Sequence, residues 1–165
     1  MSDSRSIEYV FDLAIRAERL AETLYLQLAN RFSRNPDIED FWIRYAREER
    51  QHGNWLGALR TQLSPEQLAL PADVDVLEMA NRTAAMSIDQ MLGRVKTLQD
   101  AYVLAHELEH DEINTVFEFL ICHYSENPEA MNVLRMELNR HINRLLIDFP
   151  KRYGTGTLRR GVVSG

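Results

Sequence analysis

Four long stretches of this chain repeat their apolar positions with the period of an α-helix. Between residues 6 and 32, Phe11, Ala14, Glu18, Ala21, Tyr25, Ala29 and Phe32 fall on one stripe. Ser33-Arg34-Asn35-Pro36 ends it, and Asn35 followed by Pro36 predicts the N-cap and first residue of a second helix. That helix runs to about residue 62, with Trp42, Tyr45, Glu49, His52, Leu56 and Leu59 on its stripe. Residues 64–88 are less regular and predict a connection of short helical turns, one of them over 74–85. Ser64-Pro65-Glu66-Gln67 looks like a further helix start within it.

A third helix is expected from about Ser87, where Ser87-Ile88-Asp89-Gln90 has the form of a capping box. Leu98, Tyr102, Ala105, Glu109, Glu112, Val116 and Phe119 form its stripe, with Gly93 as an interruption or kink. Asn127-Pro128-Glu129 opens the fourth, which carries Leu134, Glu137 or Leu138, His141 and Leu145 and ends at Phe149-Pro150. Four long helices with a long link in the middle predict an all-α chain of two helical hairpins joined by a crossover. Residues 1–150 form the bundle, and 151–165 are expected to be a mobile tail. The halves echo each other: Glu18 to His52 spans 34 residues and Glu109 to His141 spans 32.

Composition narrows the reading. The 165 residues suit one domain, and 45% hydrophobic with 27% charged residues is an ordinary globular balance. A net charge of −6, with basic pairs confined to Lys151-Arg152 and Arg159-Arg160, argues against nucleic acid. The single cysteine, Cys122, makes no intrachain disulfide and no CxxC metal pair, and reads as a small buried hydrophobe. No apolar run is long enough to span a membrane, and the first residues do not read as a signal peptide. The expectation is a cytoplasmic protein.

The acidic positions carry the chemistry. Ionised carboxylates are expensive to bury alone. Glu18, Glu49 and Glu109 nonetheless sit mid-helix on apolar stripes of three helices, and a shared multivalent cation resolves the conflict. Glu49 and His52, three apart, lie on one helix face, and carboxylate with imidazole suits iron, manganese or zinc. Each position has a plainer reading. Glu–His pairs at this spacing occur on exposed helices, and Glu109 stands in a charge run with Glu107, Asp111 and Glu112. Glu112 and Glu137 suit a solvated surface as well as a ligand role, and His141 suits a satisfied core histidine. His106 and His110, four apart, are a candidate zinc half-site. Trp42, Tyr45, Tyr102 and Phe119 read as core.

These motifs together resemble the ferritin-like superfamily, and most closely its rubrerythrin-like branch, over about residues 6–149. Glu18 followed by Tyr25, the run Glu48-Glu49-Arg50-Gln51-His52, and Glu109 followed by Glu112 match the family's pattern. The resemblance implies a ferritin-like four-helix bundle with a di-iron carboxylate site. It makes Glu18 and Glu109 terminal ligands, Glu49 a bridge, His52 and His141 imidazole ligands and Glu112 an additional carboxylate. Tyr25 becomes a hydrogen-bonding partner of the site. Helix four departs from the pattern: Leu138 stands three before His141, where the family has Glu, and the acid is Glu137, one position earlier. That leaves open two irons per chain, one metal, or zinc. The implied activities are iron oxidation and peroxide or oxygen chemistry, in a homodimer supplied with electrons by a separate protein. The competing reading is a structural single-metal or metal-free helical scaffold.

Overall fold

The first eight described α-helices each begin where a side chain accepts from a free backbone N–H group of the first turn. In the computed structural model, which describes residues 3–153, Ser6, Asn35 and Asn127 cap α1 (Ile7–Arg31), α2 (Pro36–Gln62) and α8 (Pro128–Asn143). α1 and α2 pack together along most of their length as an antiparallel hairpin. The crossover contains α3 (Pro65–Ala69), α4 (Val74–Ala84) and α5 (Ile88–Gly93). α4 is more than a connector, because Val76, Ala80, Thr83 and Ala84 are buried and the helix packs on α1. The all-α ferritin-like expectation is met, and every described element is helical save one isolated bridge between Ser6 and Pro71.

The third helix differs from its expectation. A helix does start at Ser87, which caps α5, and it is interrupted at Gly93 as expected; the chain resumes at Thr97, whose capping box with Asp100 opens α6 (Leu98–Glu109). It then breaks after Glu109, and Asp111 caps a new helix, α7 (Glu112–Tyr124). The fourth helix also runs differently. After α8 comes a π-helical stretch, Arg144–Asp148, in which the Phe149 N–H donates to the Arg144 carbonyl. This wider turn shifts the register by one residue before Pro150, which has no N–H to give. The chain therefore passes Pro150 as helix, α9 (Phe149–Tyr153), rather than stopping there. Tyr153 donates to the Asp37 carbonyl at 3.1 Å, tying α9 to the start of α2. Of the expected tail, residues 154–165 lie outside those described.

The core comes in two apolar layers. One holds Ala17, Tyr25, Trp42, Tyr45, Leu104, Leu145 and Phe149. The other holds Phe11, Ala14, Leu56, Ala80, Phe117, Leu120 and Leu138. Along the Glu18 stripe of α1 the change of layer falls between Ala14 and Ala21, along α2 between Ala46 and Leu56, and along the fourth helix between Leu138 and Leu145. Buried polar side chains occupy those intervals, and the candidate site lies there. Among the described residues, no helix is long and apolar enough to cross a membrane.

Candidate metal centre

Five ionisable side chains from four helices meet between the two layers. Glu18 comes from α1, Glu49 and His52 from α2, Glu109 from the last residue of α6, and His141 from α8; all are at most 3% exposed. His52 Nδ1 lies 3.1 Å from Glu49 Oε2 and 3.7 Å from Glu18 Oε2. His141 Nε2 lies 2.7 Å from Glu49 Oε1 and 3.3 Å from Glu109 Oε2. Glu49 thus stands between the two imidazoles, and one donor atom each from Glu49, His52 and His141 lie within 4.8 Å of one another.

The surroundings fix these groups. Tyr25 donates to Glu109 Oε1 at 2.5 Å, and Asn114 Nδ2 donates to Glu109 Oε2 at 2.9 Å. The same Asn114 amide donates to the Glu109 backbone carbonyl, which the helix break leaves without an intrahelical partner. Tyr45 stacks on His141 with ring centroids 3.8 Å apart and donates to the His141 carbonyl. His52 packs against Phe117. Gly53 lies beside Glu18, where a Cβ would meet Glu18 Cβ at ordinary contact distance, 3.5 Å.

Two sequence expectations are corrected by placement. Glu112 does not join the group: the break at His110-Asp111 cancels the i, i+3 relation to Glu109 and makes Glu112 the first residue of α7. Its carboxylate instead makes a forked pair with Arg82 of α4. Glu137 also faces outward and pairs with Arg140 at 2.9 Å, while Leu138 takes the inward position and is 4% exposed. A second bridging carboxylate from helix four is therefore absent from the cluster. His106 and His110 stack on each other, with His110 exposed, and Cys122 is exposed rather than buried.

Sequence reasoning missed Glu48, Asn114 and Glu22. Glu48 approaches His141 Nδ1, and Glu22 is buried against Arg50. Glu48 could have been found, since it precedes His52 by four and so shares a helix face with it. Asn114 could not, because its reach to Glu109 depends on the helix break.

Burial and mutual charge polarise the group. Burial, then the charge of Glu49, raises the Glu18 carboxyl well above the usual range. Burial disfavours a charged Glu49, but His141 and His52 outweigh it and hold its carboxyl well below normal. Burial likewise opposes charge on His52, yet Glu18 and Glu49 push it up to about 10. His141 is raised well above its ordinary value despite burial, by Glu109 and Glu49. Burial raises Tyr25 and Tyr45 as well, with the Glu109 charge adding to both.

The residues fit a divalent cation. Glu18 Oε2 and His141 Nε2 are buried without an aligned hydrogen bond among the described residues, although acceptors and donors surround them. Buried polar atoms are rarely left so. Donors crowded at these distances without hydrogen-bond alignment are arranged as ligands are around an ion. Imidazole and carboxylate together suit iron, manganese or zinc.

Comparison with known proteins gives one family. Residues 10–140 match the family described as Rubrerythrin. No curated protein and no solved structure matches.

Proposed function

The chain belongs to the rubrerythrin family, and from that premise we propose that it holds iron in the Glu18, Glu49, His52, Glu109 and His141 cluster. It then acts in iron oxidation or in peroxide and oxygen chemistry. The carrying observation is the convergence of five buried donors from four helices, with Glu49 between the two histidines. In this reading Glu49 would hold the iron together with Glu18 and His52 on one side of it and Glu109 and His141 on the other.

Bound iron supplies reversible one-electron chemistry toward dioxygen or peroxide. The protein's part is positional. Tyr25 keeps its proton on Glu109 Oε1 and steadies that carboxylate. The two apolar layers exclude bulk water, which strengthens every charge interaction between them. The reading has reductive turnover take its electrons from a separate protein, since the single cysteine of these 165 residues cannot make a rubredoxin-type iron site. The reading also has a cytoplasmic homodimer, supported by the family resemblance; a monomer mass at micromolar concentration in sedimentation would remove the dimer.

A second reading has its own observation. With Leu138 inward and Glu112 held by Arg82, Glu49 alone stands between the two histidines, and a single structural metal would suit that set. Anaerobic Fe(II) titration followed by air separates the two. The iron reading expects about two metals per chain and a ferric absorption after air. One tightly held zinc without oxygen reactivity selects the second reading, and no bound metal rejects both.

A further inference from the structure

The fourth helix is thinly covered. In α8 only Leu138 and His141 are buried, whereas α1 and α2 each bury a full stripe. Its outer side carries Val133 and Met136, which are 56% and 63% exposed. They are three apart and so share one face. Beside Val133 runs a groove of about 620 Å³, lined by Trp55, Ala58 and Leu59 of α2 and by Ala130 and Leu134 of α8. Ala58 and Ala130 are too small to fill the space between the two helices, and the groove opens to solvent. Exposed apolar side chains gathered beside an apolar groove mark a contact surface.

We propose that a second copy of this chain docks here, α8 against α8, antiparallel about a two-fold axis at Val133. An isologous contact needs a surface that offers both knob and hole, because each copy must give what it receives. Met136 and the groove lie one helical turn apart and meet that need. About such an axis, residues equally far before and after Val133 come face to face. Ala130 and Met136 are each three places away, so the partner's Met136 sits over Ala130 and fills the groove that the alanine leaves. Glu126 and Arg140 are each seven places away and are of opposite charge. Glu126 stands on the rim of the groove and is in no ion pair among the described residues. Arg140 is exposed and has only Glu137 of its own helix. The same register sets Glu129 against the partner's Glu137, whose charge Arg140 offsets from 2.9 Å. Arg135 is already matched by Glu118. Size and charge thus agree in one register, and both agree only with a second copy of the same helix. The proposal rests on the homodimer of the proposed function and gives that dimer a face, turned away from His141 and the cluster.

The experiment is sedimentation velocity of the full chain over a concentration series, with thermal melts as the control for folding. The parent is expected to be a dimer. Met136→Glu puts a charge where the groove needs an apolar side chain, and is expected to give a monomer. Glu126→Arg and Arg140→Glu each set like charges opposite one another twice per dimer, and each should raise the dissociation constant roughly tenfold. The two together restore opposite charges, and should return the constant to within a few-fold of the parent. That rescue is a result that mere loss of helix stability would not produce, and it decides alone if Met136→Glu does not fold. A dimer unmoved by Met136→Glu, or a double variant no tighter than the single ones, overturns this face and leaves the homodimer itself standing. A monomeric parent overturns both, and leaves the metal-site reading untouched.

Discussion

Protons and metal ions compete for the same atoms in this cluster. Glu18, His52 and His141 are all shifted toward their protonated forms, so a cation competes with protons at each of them. Affinity for a divalent ion is therefore expected to rise steeply with pH. A pH-stat titration near neutrality should record protons released as the metal binds. The metal-free chain has the opposite slope. A histidine raised from 6.5 to about 10, as His52 is, contributes stability that is complete below 6.5 and lost as pH climbs through 10. His141 and Glu18 are raised too and act in the same direction, whereas Glu49, held low, loses its contribution only on acidification. Thermal unfolding of the metal-free chain should thus worsen from about pH 6.5 upward. A melting temperature flat from there to about pH 10 contradicts this charge assignment. Leu138 allows a complementary residue-level prediction. Leu138→Glu places a carboxyl on an apolar layer, and should destabilise the metal-free chain by about 2–5 kcal/mol. If it reaches the cluster as a second bridge, added Zn(II) restores more stability in the variant than in the parent, as parallel melts would record.

The helices show which parts of this arrangement a sequence can convey. Asn35-Pro36 and Asn127-Pro128 announce helix starts through local hydrogen bonds, and both caps form. Glu18, Glu49, His52, Glu109 and His141 were legible because burial of an acid on an apolar stripe conflicts with its neighbours, and that conflict is written in the spacing. Glu112 was misplaced for the same reason: the stripe assumes an unbroken helix, and Asp111 starts a new one. Nor does spacing reveal the π-helical stretch, since it answers to Pro150 and to Phe149 packing in the core. Two caps separate local from site-level effects. Asn127→Ala removes a surface cap, and should cost about 1 kcal/mol with metal affinity unchanged. Asn114→Ala removes a buried donor that serves both the end of α6 and the Glu109 carboxylate. It should cost about 1–3 kcal/mol and also weaken metal binding. Equal metal affinity in the two variants, measured by competition with a chelator, would sever Glu109 from the proposed site.

Across the whole molecule, a charged band separates two apolar layers that could otherwise have joined. Such a band is a poor way to stabilise a bundle, because replacing buried ionic groups with apolar ones of similar size is often neutral or favourable. Glu18 illustrates this most plainly, being buried, raised in pKa and left with Oε2 unsatisfied. The flanking positions on its stripe of α1, Ala14 and Ala21, already pack into the two layers. Glu18→Leu would bridge them, and is expected to raise the stability of the metal-free chain by about 1 kcal/mol. His52 keeps Glu49 as a partner, so the substitution does not strand a buried charge. The same variant should lose the response to metal. A ligand at one hundred times its Kd stabilises a protein by about 2.7 kcal/mol, and that increment should appear in the parent melt and vanish in the variant. A residue kept at the expense of folding stability is one retained for what it binds. If Glu18→Leu instead melts well below the parent without metal, Glu18 is part of the scaffold, and the band owes its existence to packing rather than to a cation.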